Sequence, residues 1–508
     1  MRMGVDDLLT GSALRWGNKE AVVHAGRSLS YAALESAASR LANLLRVRGC
    51  RPNERVALVL PNSASFVIAF FAISRLGAVL VPLSPNYTDR ELGVILGDAG
   101  VVFALCGQPH VERLQDLRPI LPVLRDVLAI DDLDRLETLI AGHSDRRSSG
   151  IADWSEPHAI LYTSGTTGKP KGAILSHRSR IMNTLSGQIG YEVNPATRAN
   201  VPAPMFHSGG MILGLINVIA AGGTLLIPPD GGVEAQCHAL EELGANLLLT
   251  VPTMIYRMVE SPVFRSRAGG RAFALIHGAS PIPAAVVARL LEDFPACRPF
   301  HGYGSTEACQ LTVLGPQEYR GFPAMTGRAL PGIDVRVVRE DGGDVAPGEV
   351  GEIVTTGPHV FDGYLNDAEQ TAAALHDGLH WTGDLATIDP RGLISVVGRR
   401  KDMIISGGFN VYTREVEDVI HTHPAVEEAA VFGLPDVEWG EVVAAAVILR
   451  PGMHLDAEGL RRHCRQGLTG YKTPSRIRFV DVMPRTPVGK VRKPDLAKQF
   501  METNQGES

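Results

Sequence analysis

Cysteine is scarce in this 508-residue chain: Cys50, Cys106, Cys237, Cys297, Cys309 and Cys464 are scattered, with no Cys-x-x-Cys and no histidine at metal-ligand spacing. That argues against a disulfide framework or a zinc site and fits buried thiols in a reducing compartment. An excess of positive charge is also lacking. With 49 Lys and Arg against 55 Asp and Glu the net charge is −6, so nothing attracts a phosphate backbone overall and nucleic acid is excluded as a partner class. The first twenty residues place charges where a secretory signal needs an apolar core, so the expected location is cytoplasmic. Long apolar runs are missing but for residues 207–229, which carry no charged side chain. Gly209, Gly210, Gly214, Gly222 and Gly223 divide that stretch, which reads as a helix ended by glycine and then a short buried strand, so no integral membrane segment is expected. Internal repeats and low-complexity segments are absent as well.

What remains is ordinary globular material, 45% apolar and 20% charged, with 54 Gly and 33 Pro to make turns. The length exceeds what one hydrophobic core fills, so two or more domains are expected. Residues 29–48 have helical spacing of Leu and Ala, and RVALVL then reads as a continuous buried strand. Short apolar strands recur between helices at AVLVPL, VFALC, HAILY, TLLIP, NLLLTVP and FALIHG, the pattern of parallel sheets covered on both faces. From about residue 325 the texture becomes β-rich and hairpin-like, and from 402 a compact alternation of helices and strands suggests a small α+β domain. The expected class is therefore α/β: a large N-terminal domain over 1–400 with parallel-rich sheets and a β-rich subdomain from about 325. A polar hinge at 401–402, a small mobile domain over 403–500 and a disordered tail at 501–508 follow.

The run YTSGTTGKPK, residues 162–171, follows the apolar strand HAIL. Its hydroxyls (Thr163, Ser164, Thr166, Thr167), permissive glycines (Gly165, Gly168) and cations (Lys169, Lys171) supply what a polyphosphate requires: open N–H groups, donors and neutralising charge. It is not a Walker loop, since Pro170 follows Lys169 where that motif needs Ser or Thr entering a helix.

With that run and the ordered segments PMFHSGG (204–210), HGAS (277–280), HGYGSTE (301–307), WTGD (381–384), GRRKDMIISGGFNVYTREVE (398–417) and PRTPVGK (484–490), nearly the whole chain resembles the acyl-adenylate-forming superfamily. That superfamily comprises acyl-CoA synthetases, nonribosomal adenylation domains and beetle luciferases. The resemblance implies its two-domain fold and two half-reactions: an acid attacks ATP to give acyl-AMP and pyrophosphate, and the thiol of coenzyme A displaces AMP. It implies a phosphate site at Thr163 to Gly168 with Lys171, and adenine against Gly278, Ala279, Ser280 and Tyr303 in the His301, Gly302, Tyr303, Gly304, Ser305 run. Thr306 is implied at the α-phosphate, Glu307 as a ligand of Mg²⁺ with Thr167 as a weaker one, and ribose on Asp384 with Arg399. Lys490 is implied as the adenylation lysine, Lys401 as the hinge, Gly407 and Gly408 as the lining of a thiol tunnel, and His207 as a gate. Trp439 and Tyr471-Lys472 match the small domain of CoA ligases, and Thr413 stands where relatives often carry Pro.

Phe206-His207 lacks the Asp with which amino-acid-activating relatives pair a substrate ammonium, so an α-amino acid is disfavoured. The regions 205–215, 251–256, 277–282 and 302–312 are mostly apolar and small, which points to a hydrophobic monocarboxylic acid; Gly209, Gly210 and Gly214 leave depth unless neighbouring side chains fill it. An enzyme that stops at acyl-AMP or loads a separate acyl carrier protein is the alternative, and an inactive paralogue sensing nucleotide or acyl-AMP is another. A homodimer is compatible with all three.

Overall fold

The computed structural model describes residues 3–147, 153–163, 170–278, 282, 284–323, 325–485 and 491–504. Contacts divide the chain into two compact units, 1–281 with 288–335 and 355–381, and 282–287 with 336–354 and 382–508.

The first unit holds two large sheets. In the seven-stranded one, Arg55–Val59, Val79–Leu83, Val101–Cys106, Asp126–Ala129 and Pro157–Thr163 run parallel. Apolar side chains fill both faces, as continuous apolar strands require. The helix Ala64–Leu76 is buried along its whole length, starts where Ser63 Oγ accepts from Phe66 N, and ends at Gly77 with φ 72°. A cap of that kind contributes about 1 kcal/mol. The strand Lys171–Ser176 returns antiparallel to Pro157–Thr163 and is followed at the sheet edge by Gly363–Tyr364.

In the nine-stranded sheet, Glu20–His24, Thr224–Ile227, Arg198–Asn200, Leu247–Leu249, Phe273–Gly278 and Cys297–Ser305 are successive parallel neighbours. Antiparallel strands close both edges, Arg27–Ser30 at one and Cys309–Leu314 with Arg328–Ala329 at the other. The uncharged stretch folds into this unit as a π-helix, Gly210–Ile216, a helix, Asn217–Ala221, stopped by left-handed Gly222, and the buried strand Thr224–Ile227. Among the described residues no helix is long and apolar enough to cross a membrane.

In the second unit, Asp384 to Ile388 of the strand Leu379–Ile388 pair with Ile394–Arg399 as an antiparallel ribbon. The C-terminal sheet runs Phe409–Val411, Ile404–Ser406, Gly440–Leu449, Val426–Asp436, with Arg476–Phe479 on the Gly440–Leu449 strand. Its two faces follow the period of two along the strands. Val431, Val443 and Val447 meet Val416 and Ile420 of the helix Thr413–His421 and Leu460 and Cys464 of the helix Ala457–Gly467. Phe432, Ala444 and Ala446 on the other face meet Leu496 and Phe500 of the helix Lys493–Asn504.

Arg414 Nη1 donates to Val396 O at 2.7 Å and joins the ribbon to the helix Thr413–His421. One boundary differs from the sequence reading. The tail expected to be disordered from 501 is helical to Asn504, continuing the helix that Leu496 and Phe500 anchor; residues 505–508 lie outside the described set.

Candidate active site

The carboxyl ends of parallel strands are where open α/β sheets bind ligands, and the candidate residues of the first unit collect there. Thr163 ends the strand Pro157–Thr163, and its cross-strand partner is Lys171. Ser164, Gly165, Thr166, Thr167, Gly168 and Lys169 lie outside the described residues. The Lys171 ammonium donates to Gln370 Oε1 and stands 5.4 Å from the centre of the Tyr364 ring.

Gly278 and Gly302 end matched positions of the strands Phe273–Gly278 and Cys297–Ser305. A Cβ on Gly278 would lie 2.3 Å from Gly302 O, so these strands close up only without side chains there. Ala279 and Ser280 fall outside the described set. His301 is buried, its Nδ1 donates to Met325 O at 3.0 Å, and its ring stacks on His277 with centroids 4.7 Å apart. His301 thus supports the strand ends from within. Full burial, and secondarily the neighbouring His301, holds the His277 imidazole well below its ordinary pKa. Tyr303 is half-buried.

The strand Cys297–Ser305 turns back into Cys309–Leu314, and the turn carries Thr306 and Glu307. Gly304 is forced here, since a Cβ would lie 1.6 Å from Cys309 O. Ser305 Oγ accepts from Ala308 N at 3.1 Å. Glu307 is held twice, by Tyr364 Oη donating to Oε1 at 2.8 Å and by Phe361 N donating to its carbonyl at 2.7 Å. Burial and then the Glu307 carboxylate push the Tyr364 phenol pKa up, so Tyr364 stays a donor. Cys309 sits at φ 57°, a left-handed backbone unusual outside glycine. Ser208 Oγ reaches its sulfur at 3.8 Å. Burial raises the Cys309 thiol pKa, opposed chiefly by the Arg180 guanidinium.

His207, half-buried beside Ser208, donates its N–H to Pro204 O at 3.1 Å and accepts from Met211 N at 2.9 Å, which opens the helical stretch that follows. The depth allowed by glycines is largely filled: a Cβ on Gly210 would lie 2.2 Å from Pro204 O and one on Gly214 2.5 Å from Val201 Cγ1, whereas nothing lies within 4 Å at Gly209.

The family's Mg²⁺ can be tested against Glu307. Among the described residues no group of three or more His, Cys, Asp or Glu side chains could hold a metal. A single carboxylate, with one oxygen engaged by Tyr364, suits a cation that arrives on phosphates and keeps its water rather than one caged by protein.

In the second unit Asp384 and Arg399 are direct cross-strand partners, with Arg399 Nε 3.0 Å from Asp384 Oδ1 and the carboxylate buried. Lys401 is exposed in the short 3₁₀ turn Arg400–Asp402. Gly407 and Gly408, at φ 58° and 82°, make a two-residue hairpin between Ser406 and Phe409. Positive φ at both positions is the type I′ turn that matches strand twist. A Cβ on Gly407 would also lie 2.6 Å from the Trp439 ring. Around this hairpin Trp439 is 46% and Phe409 57% exposed, and Phe409 stacks on Tyr471 with centroids 4.8 Å apart. Thr413 takes the first position of the helix Thr413–His421, where Pro would also be tolerated. Lys490 lies outside the described residues.

Two family models match, the AMP-binding enzyme over residues 9–365 and its C-terminal domain over 415–490. The chain belongs to the AMP-binding enzyme family. Within this acyl-adenylate-forming superfamily its relatives are acyl- and aryl-CoA ligases. It is 35% identical to a feruloyl-CoA synthase of Amycolatopsis sp, covering 94% of this chain and 96% of that protein. An indoleacetate–CoA ligase of Aromatoleum aromaticum is 33% identical over 95% and 96%. The ATP-bound MatB structure from Rhodopseudomonas palustris superposes with a TM-score of 0.90 at 31% identity, covering 98% and 99%. The o-succinylbenzoate CoA synthetase of Bacillus subtilis with its acyl-adenylate gives 0.86 at 26%, covering 98% of each chain.

Residue-by-residue reading missed Tyr364, Ser208 and Cys309. Tyr364 meets Glu307 across 57 positions of sequence, and no local spacing announces such a pair. Ser208 lies inside PMFHSGG, where no local spacing sets it apart from its neighbours. Cys309 had one available signal, adjacency to HGYGSTE.

Proposed function

We propose that this family member is an AMP-forming acid:CoA ligase acting on a largely apolar monocarboxylic acid. The observation that carries the proposal is the fixed Glu307 carboxylate, held by Tyr364 beside Lys171 at the ends of parallel strands. Two anions, a carboxylate and a triphosphate, must be brought together, and preorganised positive charge and donors lower that barrier most. Mg²⁺ on the phosphates would supply Lewis-acid charge neutralisation, with Glu307 holding it and Thr167 assisting. Thr163 to Gly168 and Lys171 receive the phosphates, Thr306 donates to the α-phosphate, and Gly278 to Ser280, with His301, Gly302, Tyr303, Gly304 and Ser305, frame the adenine. Asp384 accepts from the ribose hydroxyls and is oriented by Arg399.

Lys490 bridges the acid and the α-phosphate in the first half-reaction. Lys401 is the pivot that then brings the Gly407-Gly408 hairpin into use. His207 governs access of the thiol to the acyl carbon, which is attacked as AMP leaves. The exposed Phe409, Trp439 and Tyr471 around that hairpin favour coenzyme A as acceptor, since they offer stacking and apolar surface to a pantetheine chain and a base.

The test is a panel of carboxylic acids assayed for pyrophosphate release with and without coenzyme A. Acid-dependent release, with thioester formed when coenzyme A is present, is expected. Release without thioester at saturating coenzyme A would assign the chain to adenylate formation alone, and no release with any acid would overturn the reading.

A further inference from the structure

Around the helix His177–Gly190, polar side chains from its own C-cap, from the helix Asn217–Ala221 and from the strand Cys309–Leu314 have no hydrogen-bond partner among the described residues. Asn217 is fully buried, and neither Oδ1 nor Nδ2 has a hydrogen-bond partner among the described residues. The same holds for both amide atoms of Gln310, 7% exposed, and for Tyr191 Oη, 2% exposed. The two amides converge: a Cβ on Gly187 would lie 2.6 Å from Asn217 Nδ2 and 3.2 Å from Gln310 Oε1. Tyr191 Oη lies 2.2 Å from where a Cβ on Gly302 would stand.

Asn183, one turn earlier on the helix, shows the contrast. Its Nδ2 donates to Gln310 O at 3.0 Å and its Oδ1 accepts from Gln310 N at 3.3 Å, so that amide is spent on the backbone. A buried donor or acceptor left unmade is costly, so the four amide atoms of Asn217 and Gln310, which converge at Gly187, call for a partner that a ligand can supply.

Their position relates them to the acid. Gln310 is three residues past Glu307 on the same hairpin, and Asn217 is ten past His207, about 15 Å along the axis of the helical stretch by helical rise. Ser208 and Cys309, 3.8 Å apart, tie the two segments together at the near end. Arg180 lies beside the Cys309 thiol, whereas the groups that converge at Gly187 are neutral.

We propose that Tyr191, Asn217 and Gln310 form a polar far end to the acid pocket, so that the acid activated here carries a neutral hydrogen-bonding substituent, a hydroxyl or oxo group, remote from its carboxylate. This rests on the ligase reading above and narrows its substrate class.

The experiment compares three acids of one ring-bearing skeleton in the pyrophosphate assay with the full chain: plain, with a distal hydroxyl or oxo group, and with a distal carboxylate. The hydroxyl or oxo acid should exceed the plain acid in kcat/KM by about tenfold or more, because a site built for a hydrogen bond rejects the analogue that lacks it. Gln310→Leu and Asn217→Leu should each shrink that ratio towards one. Preference for the plain acid or the dicarboxylate, or a ratio unmoved by both substitutions, overturns the proposal while leaving the ligase reading intact. Absence of release with every acid overturns the ligase reading itself. The thermal midpoint of the unliganded Asn217→Leu/Gln310→Leu protein should stay level or rise, since unpaired amides are removed; a marked fall would show that the amides are structural and overturn the proposal.

Discussion

Two hairpin turns in this molecule make opposite use of left-handed backbone. The turn from Ser305 to Cys309 is gripped by Tyr364, Phe361 and Ser208, which belong to segments far away in sequence, and its positive φ falls on buried Cys309. The turn at Gly407-Gly408 has both positive φ values on glycine and is surrounded by exposed Phe409 and Trp439. The first is a rigid mount for charge, the second an open surface that can receive a ligand. A fixed electrostatic site tolerates little reorganisation, whereas a surface that serves a later step has to be accessible before it is used.

The predictions test that division. Lys490→Ala should lower pyrophosphate release by about a thousandfold, the scale of a lost charge-stabilising group, while sparing thioester formation from supplied acyl-AMP; equal loss in both halves would break the assignment. Glu307→Gln should cost about a hundredfold or more in adenylation and raise the Mg²⁺ concentration needed, measured by titrating the metal. Trp439→Ala should leave pyrophosphate release from acid and ATP near normal and raise KM for coenzyme A about tenfold, measured by initial rates at varied coenzyme A. Tyr364→Phe removes one hydrogen bond to Glu307 and should cost about five- to tenfold in adenylation, with little change in the thioester half.

A final contrast lies in acid stability. Burial holds His177 and His359 at about 4 and His158 and His277 well below their ordinary range, and all four belong to the first unit. These folded-state values lie below the unfolded one, so the unfolded chain binds more protons once the pH drops under about 6.5. The stability they contribute is present above that pH and is lost as the pH falls, on the way down to about 4 for His177 and His359, at up to roughly 1.4 kcal/mol per unit for each histidine. Denaturant unfolding at pH 7 and pH 4.5, followed by hydrogen exchange, should show the first unit weakening more than the second.

Much of this was legible from sequence because the signals are local. The continuous apolar strands, the helix within residues 29–48, and the glycine-broken stretch after His207 all appear where their patterns place them. Asp384 and Arg399, which the family resemblance places together at the ribose, are cross-strand partners. The contact of Arg414 with Val396 that joins ribbon to helix was not legible, because it leaves no trace in composition. Nor was the reason for Gly407: the hairpin itself demands a left-handed residue there, whatever passes beside it.

Periodicity, turn residues and the ordered motifs by themselves determined the α/β class and the family, since each is written in spacing over a few residues. Tertiary structure alone decided which of those side chains meet. It set Tyr364 on Glu307, Ser208 on Cys309 and the unsatisfied amides of Asn217 and Gln310 face to face. Such meetings depend on how distant strands and helices are brought together in space, which no local spacing encodes.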